Sequence, residues 1–307
     1  MKDSVNVWAP ATIANLSVGF DALGCALEAP GEVMVLRRTE QKGEVRITRI
    51  EGAKLDFNAS NNVAGVAAQS LLHALGNPCG LELEIHKQIL PGSGIGSSAA
   101  SAAAAVVGVN ELLEAGLRPD ELIAYALDGE ALASGARHAD NVAPAIMGGI
   151  VLCTPHGAPQ HIPIPPDWHL VVLHPQVEIK TADARAVLPE RVTFQDAIRQ
   201  SSTFASFVAA CFAQDGVRAA LNLEDFLVEP HRRALIPYFD NVRARSFECG
   251  SRAVGISGSG PSTFHIAMNP TDAQSISDGL SELLNGFGLE HRVYLTKISA
   301  RGAHVLP

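Results

Sequence analysis

The stretch LPGSGIGSSAASAAAAVVGVNELL, residues 90–113, constrains the fold more than any other: three glycines at alternate positions run into Ser97-Ser98 and then into a helix of little but alanine and serine. Between positions 99 and 105 no side chain is larger than serine, so a bulky neighbour or a nucleotide can lie close against the helix backbone. Glycines at 92, 94 and 96 permit backbone angles barred to other residues and let N–H groups converge on an anion. Ser97 and Ser98 can cap the helix, whose N-terminus carries partial positive charge. The same pattern would also serve a tight loop ahead of a helix packed in a core, and this stretch alone leaves both open. Two commoner nucleotide loops do not fit. The dinucleotide fingerprint wants G-x-G-x-x-G directly after a strand, whereas residues 87–91 separate this loop from its strand and its glycine spacing differs. A Walker-type loop wants lysine after the last glycine, and Ser97 stands there.

The chain has 307 residues, room for two domains of ordinary size or one large α/β unit. Apolar residues make up 47% and charged residues 18%, as in soluble globular proteins. With aromatics at 5%, the core must rest on alanine, valine, leucine and isoleucine. A net charge of −9 argues against a nucleic-acid surface, which needs clustered lysine and arginine; contacts to an anionic small substrate must then be local. The five cysteines are scattered, odd in number and form no CxxC pair, as expected of free thiols in a reducing cytosol. Lys2 and Asp3 lead into alternating residues and Pro10 rather than an apolar segment, so no signal peptide is expected. Residues 99–109 are too short a run to span a bilayer. The expectation is a cytoplasmic protein with no membrane partner.

Alternation predicts strands at 5–8, ending at Ala9-Pro10, and at 33–36, 45–50 and 81–86. Helical spacing covers 62–75, up to Gly76-Asn77-Pro78, and 120–134. The proline- and glycine-rich residues 154–167, TPHGAPQHIPIPPD, form either a domain boundary or a hairpin loop within a sheet. Beyond them, 168–175 reads as a buried strand, 193–213 and 221–242 as helices, and 252–267 as strand, glycine turn, strand. A helix at 271–284 and a strand at 291–298 complete the chain. The elements lack the regular alternation of a doubly wound sheet, which predicts an α+β arrangement in two layers.

Residues 91–101, PGSGIGSSAAS, resemble the second motif of the GHMP kinases, P-x-x-x-G-[LI]-G-S-S-A. PATIANLSVGFDALG, residues 10–24, is similar to the first motif and GISGSGPSTFHI, residues 255–266, to the third. The three stand in the expected order and span nearly the whole chain. Within the superfamily the resemblance is closest to the homoserine kinase branch, through ANLSVGFDALG (14–24), RHADNVAPAIMGG (137–149), KTADARAVLP (180–189) and EPHRRALIP (229–237). One departure is Ser17-Val18, where many members of that branch carry Gly-Pro. The resemblance implies a two-domain GHMP kinase fold. Residues 1–155 would be a ribosomal protein S5 domain 2-like domain with the ATP phosphate loop, and residues 156–307 a ferredoxin-like α/β domain with substrate-binding residues. A homodimer is implied as well.

The implied reaction is ATP-dependent phosphorylation of the hydroxyl of L-homoserine to O-phospho-L-homoserine, on the route to threonine. Such chemistry needs phosphate charge neutralised, a metal ion and an in-line hydroxyl. Pro91, Gly92, Ser93, Gly94, Ile95, Gly96, Ser97, Ser98, Ala99, Ala100 and Ser101 match the phosphate loop, and Ser98 and Glu130 match the family's magnesium ligands. Arg185 and Arg232 match carboxylate-binding arginines, a role suited to guanidinium, although Arg233 adjoins Arg232. Asn15 and Asp21 match residues that contact the polar ends of homoserine; His138, Thr181 and Gly258 complete the implied substrate set. Asn141 stands where several GHMP kinases hold an aspartate base. An amide accepts no proton at neutral pH, which implies catalysis by positioning with the proton passing to phosphate or solvent; a base role for Asp140 stays open. Another small-molecule GHMP kinase, or a non-catalytic nucleotide-binding member, are the alternatives.

Overall fold

The computed structural model describes residues 1–135 and 137–307. Its first half runs β1 (Ser4–Ala14), β2 (Leu23–Thr39), β3 (Val45–Glu51), α1 (Val63–Ala74), β4 (Gly80–His86), α2 (Ser97–Leu113), α3 (Pro119–Ser134), α4 (Ala139–Met147), β5 (Ile150–Leu152) and β6 (Gln160–Ile162). The second runs β7 (His169–Pro175), α5 (Thr181–Ala186), α6 (Phe194–Phe212), α7 (Gly216–Leu221), α8 (Glu229–Arg232), α9 (Phe239–Glu248), β8 (Ala253–Ile256), β9 (Thr263–Ala267), α10 (Pro270–Gly286), β10 (His291–Thr296) and β11 (His304–Val305).

Alternating side chains on β4 bury Leu81, Leu83 and Ile85 on one face, as expected of a strand with one wet side. It belongs to a sheet ordered β11–β1–β2–β4–β3, in which β5 pairs with β2 and β6 with β5. Two expectations change here. The first strand does not end at Ala9-Pro10 but continues to Ala14, because its pairing with β2 shifts register between Pro10 and Thr12, and a bulge accommodates a proline that a regular ladder excludes. Residues 154–167 hold the turn and second strand of the β5–β6 hairpin, so a cut at 155/156 would fall between two paired strands.

The smaller sheet is antiparallel and ordered β10–β7–β9–β8. In chain order that is fourth, first, third, second, the arrangement of a ferredoxin-like domain. Ile276, Leu280 and Leu284 of α10 and Val242 of α9 pack with Val171, Leu173 and Ala267 of this sheet. The predicted helix at 221–242 is broken: α7 ends at Leu221, α8 spans one turn, and Tyr238 takes a left-handed φ of +57° before α9. Pro230 and Pro237 interrupt the run. The Asp225 carboxylate also accepts the N–H groups of Leu227, Val228 and Glu229 at 2.8, 2.8 and 2.9 Å, competing with a continuous helix.

Helix α2 is the central element. Nearly all of it is buried, and it packs against β1, β2, α1, α3 and α4. Ala99, Ala100 and residues 102–105 are wholly buried in the main core, so the alanine run lets surrounding helices and strands approach it on all sides. The cysteines are free. No helix among the described residues is long and apolar enough to cross a membrane.

Candidate active site

A cleft of about 610 Å3 lies where the first-motif loop, the glycine loop, the start of α4, α5 and the turn after β8 meet. Every one of these segments carries a residue singled out in the sequence. The glycine loop forms one wall. Gly92, Gly94 and Gly96 all hold positive φ, +73°, +80° and +70°. The need for glycine is clearest at Gly94, where a β-carbon would lie 2.5 Å from the Gly260 carbonyl oxygen and 2.8 Å from that of Ser257. Ser257 and Ser262, from the opposite domain, donate to the carbonyls of Gly94 and Ser93 at 2.8 and 2.6 Å. These bonds tie the loop's carbonyls away from the cleft.

The serines at the helix start do not act as caps. Gly96 is the N-cap, in left-handed conformation, and α2 has no side-chain cap. Ser97 donates instead to the Ile89 carbonyl at 2.8 Å, and Ser98 hydrogen-bonds the Glu130 carboxylate. The first N–H groups of α2 thus sit at the cleft without a competing side chain, the arrangement that favours a phosphate. Ile95, Ala99 and Ala100 point into the core, 0–1% exposed. Their side chains are not part of the cleft wall, and the alanine run is packed against protein rather than forming a wall behind a ligand.

Glu130, on α3, is buried beside Ser98. Burial raises its carboxyl to about 7, against the lowering effect of the Ser98 hydrogen bond. Asp140, also buried at the cleft, is raised to about 7 by burial, then by the charges of Asp21 and Glu130. Among the described residues no three His, Cys, Asp or Glu side chains are grouped to hold a metal, so any ion here relies on mixed oxygen donors and phosphate. Asn141 accepts the Thr12 hydroxyl on Oδ1 at 2.7 Å, which leaves its amide N–H groups to donate. Thr12 lies inside the first motif, residues 10–24, and nothing in its local sequence marks it as a partner of Asn141.

The far end of the cleft carries both charge signs. The Asp21 carboxylate accepts Arg185 Nη2 at 2.8 and 3.0 Å, and the same nitrogen lies 2.9 Å from His138 Nε2. Arg232 is buried, donating Nη1 to the Gly258 carbonyl at 2.9 Å and Nε to that of Ala184 at 3.0 Å. Burial first, then the Arg185 charge, lowers its pKa from the ordinary arginine value. Arg233 is exposed and pairs with Asp240 at 3.7 Å, away from the cleft-lining residues. Asn15 holds the frame: Oδ1 accepts the Asp21 N–H at 2.9 Å, and Nδ2 donates to the Gly258 carbonyl at 3.2 Å. Thr181 and Gly258 line the same region.

One feature of the site was not anticipated. Behind the glycine loop a buried ion pair joins Lys87 Nζ to Glu32 at 2.6 Å, both side chains 2% exposed. Lys87 also donates to the Ser97 carbonyl and to Ser101 Oγ at 2.8 and 2.9 Å, and Ser101 donates to Glu32 at 2.7 Å. A lysine immediately after an alternating strand gives no sign in the sequence that it turns inward.

Models of the GHMP kinases N terminal domain and the GHMP kinases C terminal domain match residues 61–149 and 207–286. The homoserine kinase of Xanthomonas campestris pv. campestris is 38% identical over 301 residues, 97% of this chain and 93% of that protein. The chain belongs to the homoserine kinase family of the GHMP kinases. The homoserine kinase of Pyrococcus furiosus is 37% identical over 300 residues, 97% of this chain and 99% of its own. The crystal structure of homoserine kinase from Cytophaga hutchinsonii matches with a TM-score of 0.95 at 37% identity, covering 100% of this chain and 98% of that one. The fold of this family member is therefore the two-domain GHMP kinase fold, and all three motifs that suggested it border one cleft.

Proposed function

We propose that the protein transfers the γ-phosphoryl group of ATP to the side-chain hydroxyl of L-homoserine, giving ADP and O-phospho-L-homoserine for threonine formation. The observation that carries this is the single cleft bordered by a glycine loop at a helix start and by the mixed-charge cluster Asp21, Arg185 and Arg232. A zwitterionic amino acid suits that cluster: its ammonium can take the Asp21 carboxylate and its carboxylate the guanidinium groups, exchanging the Asp21–Arg185 pair for two pairs with the substrate. An isoprenoid alcohol carries no ammonium and carboxylate to match both signs of that cluster.

The phosphates are assigned to the backbone of residues 91–98 and the N-terminus of α2. Magnesium fits the donor set, because Ser98 Oγ and the Glu130 carboxylate are adjacent hard oxygen donors and the ion keeps several waters. Those two residues would hold it, and when bound it offsets charge on the phosphates. Thr12 orients Asn141, whose amide can donate to an oxygen at the reacting centre. The homoserine hydroxyl attacks the γ-phosphorus, the bond to the ADP oxygen breaks, and the hydroxyl proton passes to the transferred phosphoryl group or to solvent.

In this account Asp140 is a buried carboxylate and not the base. Asp140→Asn should keep kcat within about tenfold of wild type, whereas loss of a general base costs roughly 100-fold or more. Its stability effect has a defined sign. With the folded-state value raised from 3.8 to about 7, ionising Asp140 costs the folded protein and not the unfolded one. That cost is absent below 3.8, grows as pH rises, and is complete above about 7. Metal-free Asp140→Asn should therefore melt about 5 °C above wild type at pH 8, with the gap closing by pH 4.

Arg232→Ala should raise the KM for homoserine at least about 30-fold and leave that for ATP within about twofold. Arg233→Ala should change neither, and the reverse pattern would reassign the carboxylate contact. The homodimer and the cytoplasmic location are part of the proposal. The exposed apolar side chains of α6, Phe194 at 82% and Phe212 at 63% exposed, support a second copy, and light scattering that returns the mass of one chain would remove it. ADP release measured against a panel of amino acids and isoprenoid alcohols tests the function. Release with homoserine is expected; none with homoserine, or release only with another alcohol, overturns it.

A further inference from the structure

We infer that Gln200, outside the cleft, is a positioning residue for the acceptor site. Its buried amide ties the loop bearing Asn15 and Asp21 to the segment that delivers Arg232. The inference rests on the acceptor assignment above and adds to it what sets the spacing of the two charge signs.

Gln200 lies on α6 and is 9% exposed. Both ends of its amide are used, and each serves a different arm of the site. Nε2 donates to the Val18 carbonyl at 2.7 Å, while Oε1 accepts the Phe226 N–H at 2.8 Å. Val18 belongs to a loop in which Asn15, Leu16, Ser17 and Asp21 hold φ of +70°, +43°, +57° and +57°. Non-glycine residues persist in that region only where surrounding contacts enforce it, and the bond to Val18 supplies one such contact. Phe226 opens the turn whose N–H groups are gathered by Asp225, directly before the helix turn that ends at Arg232. Arg199, next to Gln200, lies over the Phe226 ring at 4.1 Å from its centroid. Helix α6 therefore grips this arm through side-chain stacking as well as the amide.

The same two arms also meet at the cleft, where the Gly258 carbonyl accepts both Asn15 Nδ2 and Arg232 Nη1. Gln200 adds a second link on the side away from the substrate. Two links, one at each end, fix the separation and tilt of the arms, which one link alone would leave free to pivot. Phe20, in the first arm, extends the coupling, with its ring centroid 5.0 Å from the Arg232 guanidinium and 5.5 Å from that of Arg185. Losing the far link should misplace the carboxylate and ammonium contacts relative to each other. It should leave the glycine loop, held separately by Ser257 and Ser262 at 2.8 and 2.6 Å, in place.

Gln200→Met removes both hydrogen bonds with little change in volume. Gln200→Glu keeps the acceptor for Phe226 but sets an oxygen against the Val18 carbonyl. In each, the KM for homoserine should rise on the order of tenfold, while the KM for ATP stays within about twofold and kcat within about threefold. Melting temperatures report folding. An unchanged homoserine KM in either folded variant, an equal rise in both KM values, or failure of both variants to fold overturns the inference. In the last case Gln200 is a folding element. Wild-type protein in the same assay separates the two levels: no homoserine turnover by it removes the acceptor assignment and the inference together, whereas normal wild-type turnover with unshifted variants removes only the Gln200 link.

Discussion

Gly96→Ala is expected to reduce kcat/KM for ATP by at least about 100-fold while leaving a folded protein. Gly96 is the N-cap of α2 at φ +70°, a conformation alanine resists, so the substitution also costs stability of roughly 1–3 kcal/mol. The larger effect is local. A β-carbon at this position would collide with Thr12 Oγ1 and lie 3.1 Å from Asn141 Oδ1, in the gap that the Thr12–Asn141 hydrogen bond spans. One methyl group therefore disturbs the first N–H groups of α2 and the amide at the acceptor side together. Steady-state kinetics alongside circular dichroism check this. A folded Gly96→Ala protein with near-normal kinetics would mean that the loop does not cradle the phosphates.

Glu130→Gln is expected to lower kcat by about 100-fold or more at saturating ATP, with a strongly weakened response to added magnesium. The amide matches the carboxylate in size and can still bond Ser98, so the change isolates charge. Its stability should move the other way. Burial raises the Glu130 carboxyl from 4.5 to about 7, so an ionised Glu130 costs the metal-free fold at pH 8 and the amide does not; metal-free Glu130→Gln should melt higher than wild type there, and the gap should shrink on acidification toward 4.5. The same shift gives a pH signature. A protonated carboxyl does not ligate a cation, so apparent magnesium affinity in wild type should fall as pH drops below about 7 and level off above it. Glu130→Gln should lack that dependence. Unchanged turnover across a magnesium titration would remove Glu130 from the metal site.

These expectations rest on residues that were visible in the sequence to different degrees. The glycine loop, Ser98, Asp21 and Arg185 were legible because motifs keep chemistry-bearing residue types at fixed positions, whereas Glu130 lies in none of those motifs and was singled out only through the family resemblance. Thr193 was equally legible as a helix start: it caps α6 by accepting the Asp196 N–H at 3.0 Å. The capping role expected of Ser97 and Ser98 was misleading, because a left-handed glycine took the cap position and released both hydroxyls to tertiary partners. The broken run at 221–242 shows the same competition, with Asp225 outbidding the helix for three N–H groups. Lys87, Glu32 and Gln200 were not legible at all. A charged or amide side chain turns inward only when partners far along the chain satisfy it; Glu32 meets Lys87 and Gln200 meets Val18, pairings that no local pattern encodes.

Transfer of a phosphoryl group onto the hydroxyl of an amino acid is the reaction proposed for this cleft. Phosphorus NMR of a reaction containing the protein, ATP, magnesium and L-homoserine tests it most directly. The γ-phosphate signal of ATP should be replaced, in equal amount to the ADP formed, by a phosphomonoester signal coupled to the protons of an adjacent methylene. ATP left intact, or converted only to ADP and inorganic phosphate, would contradict it.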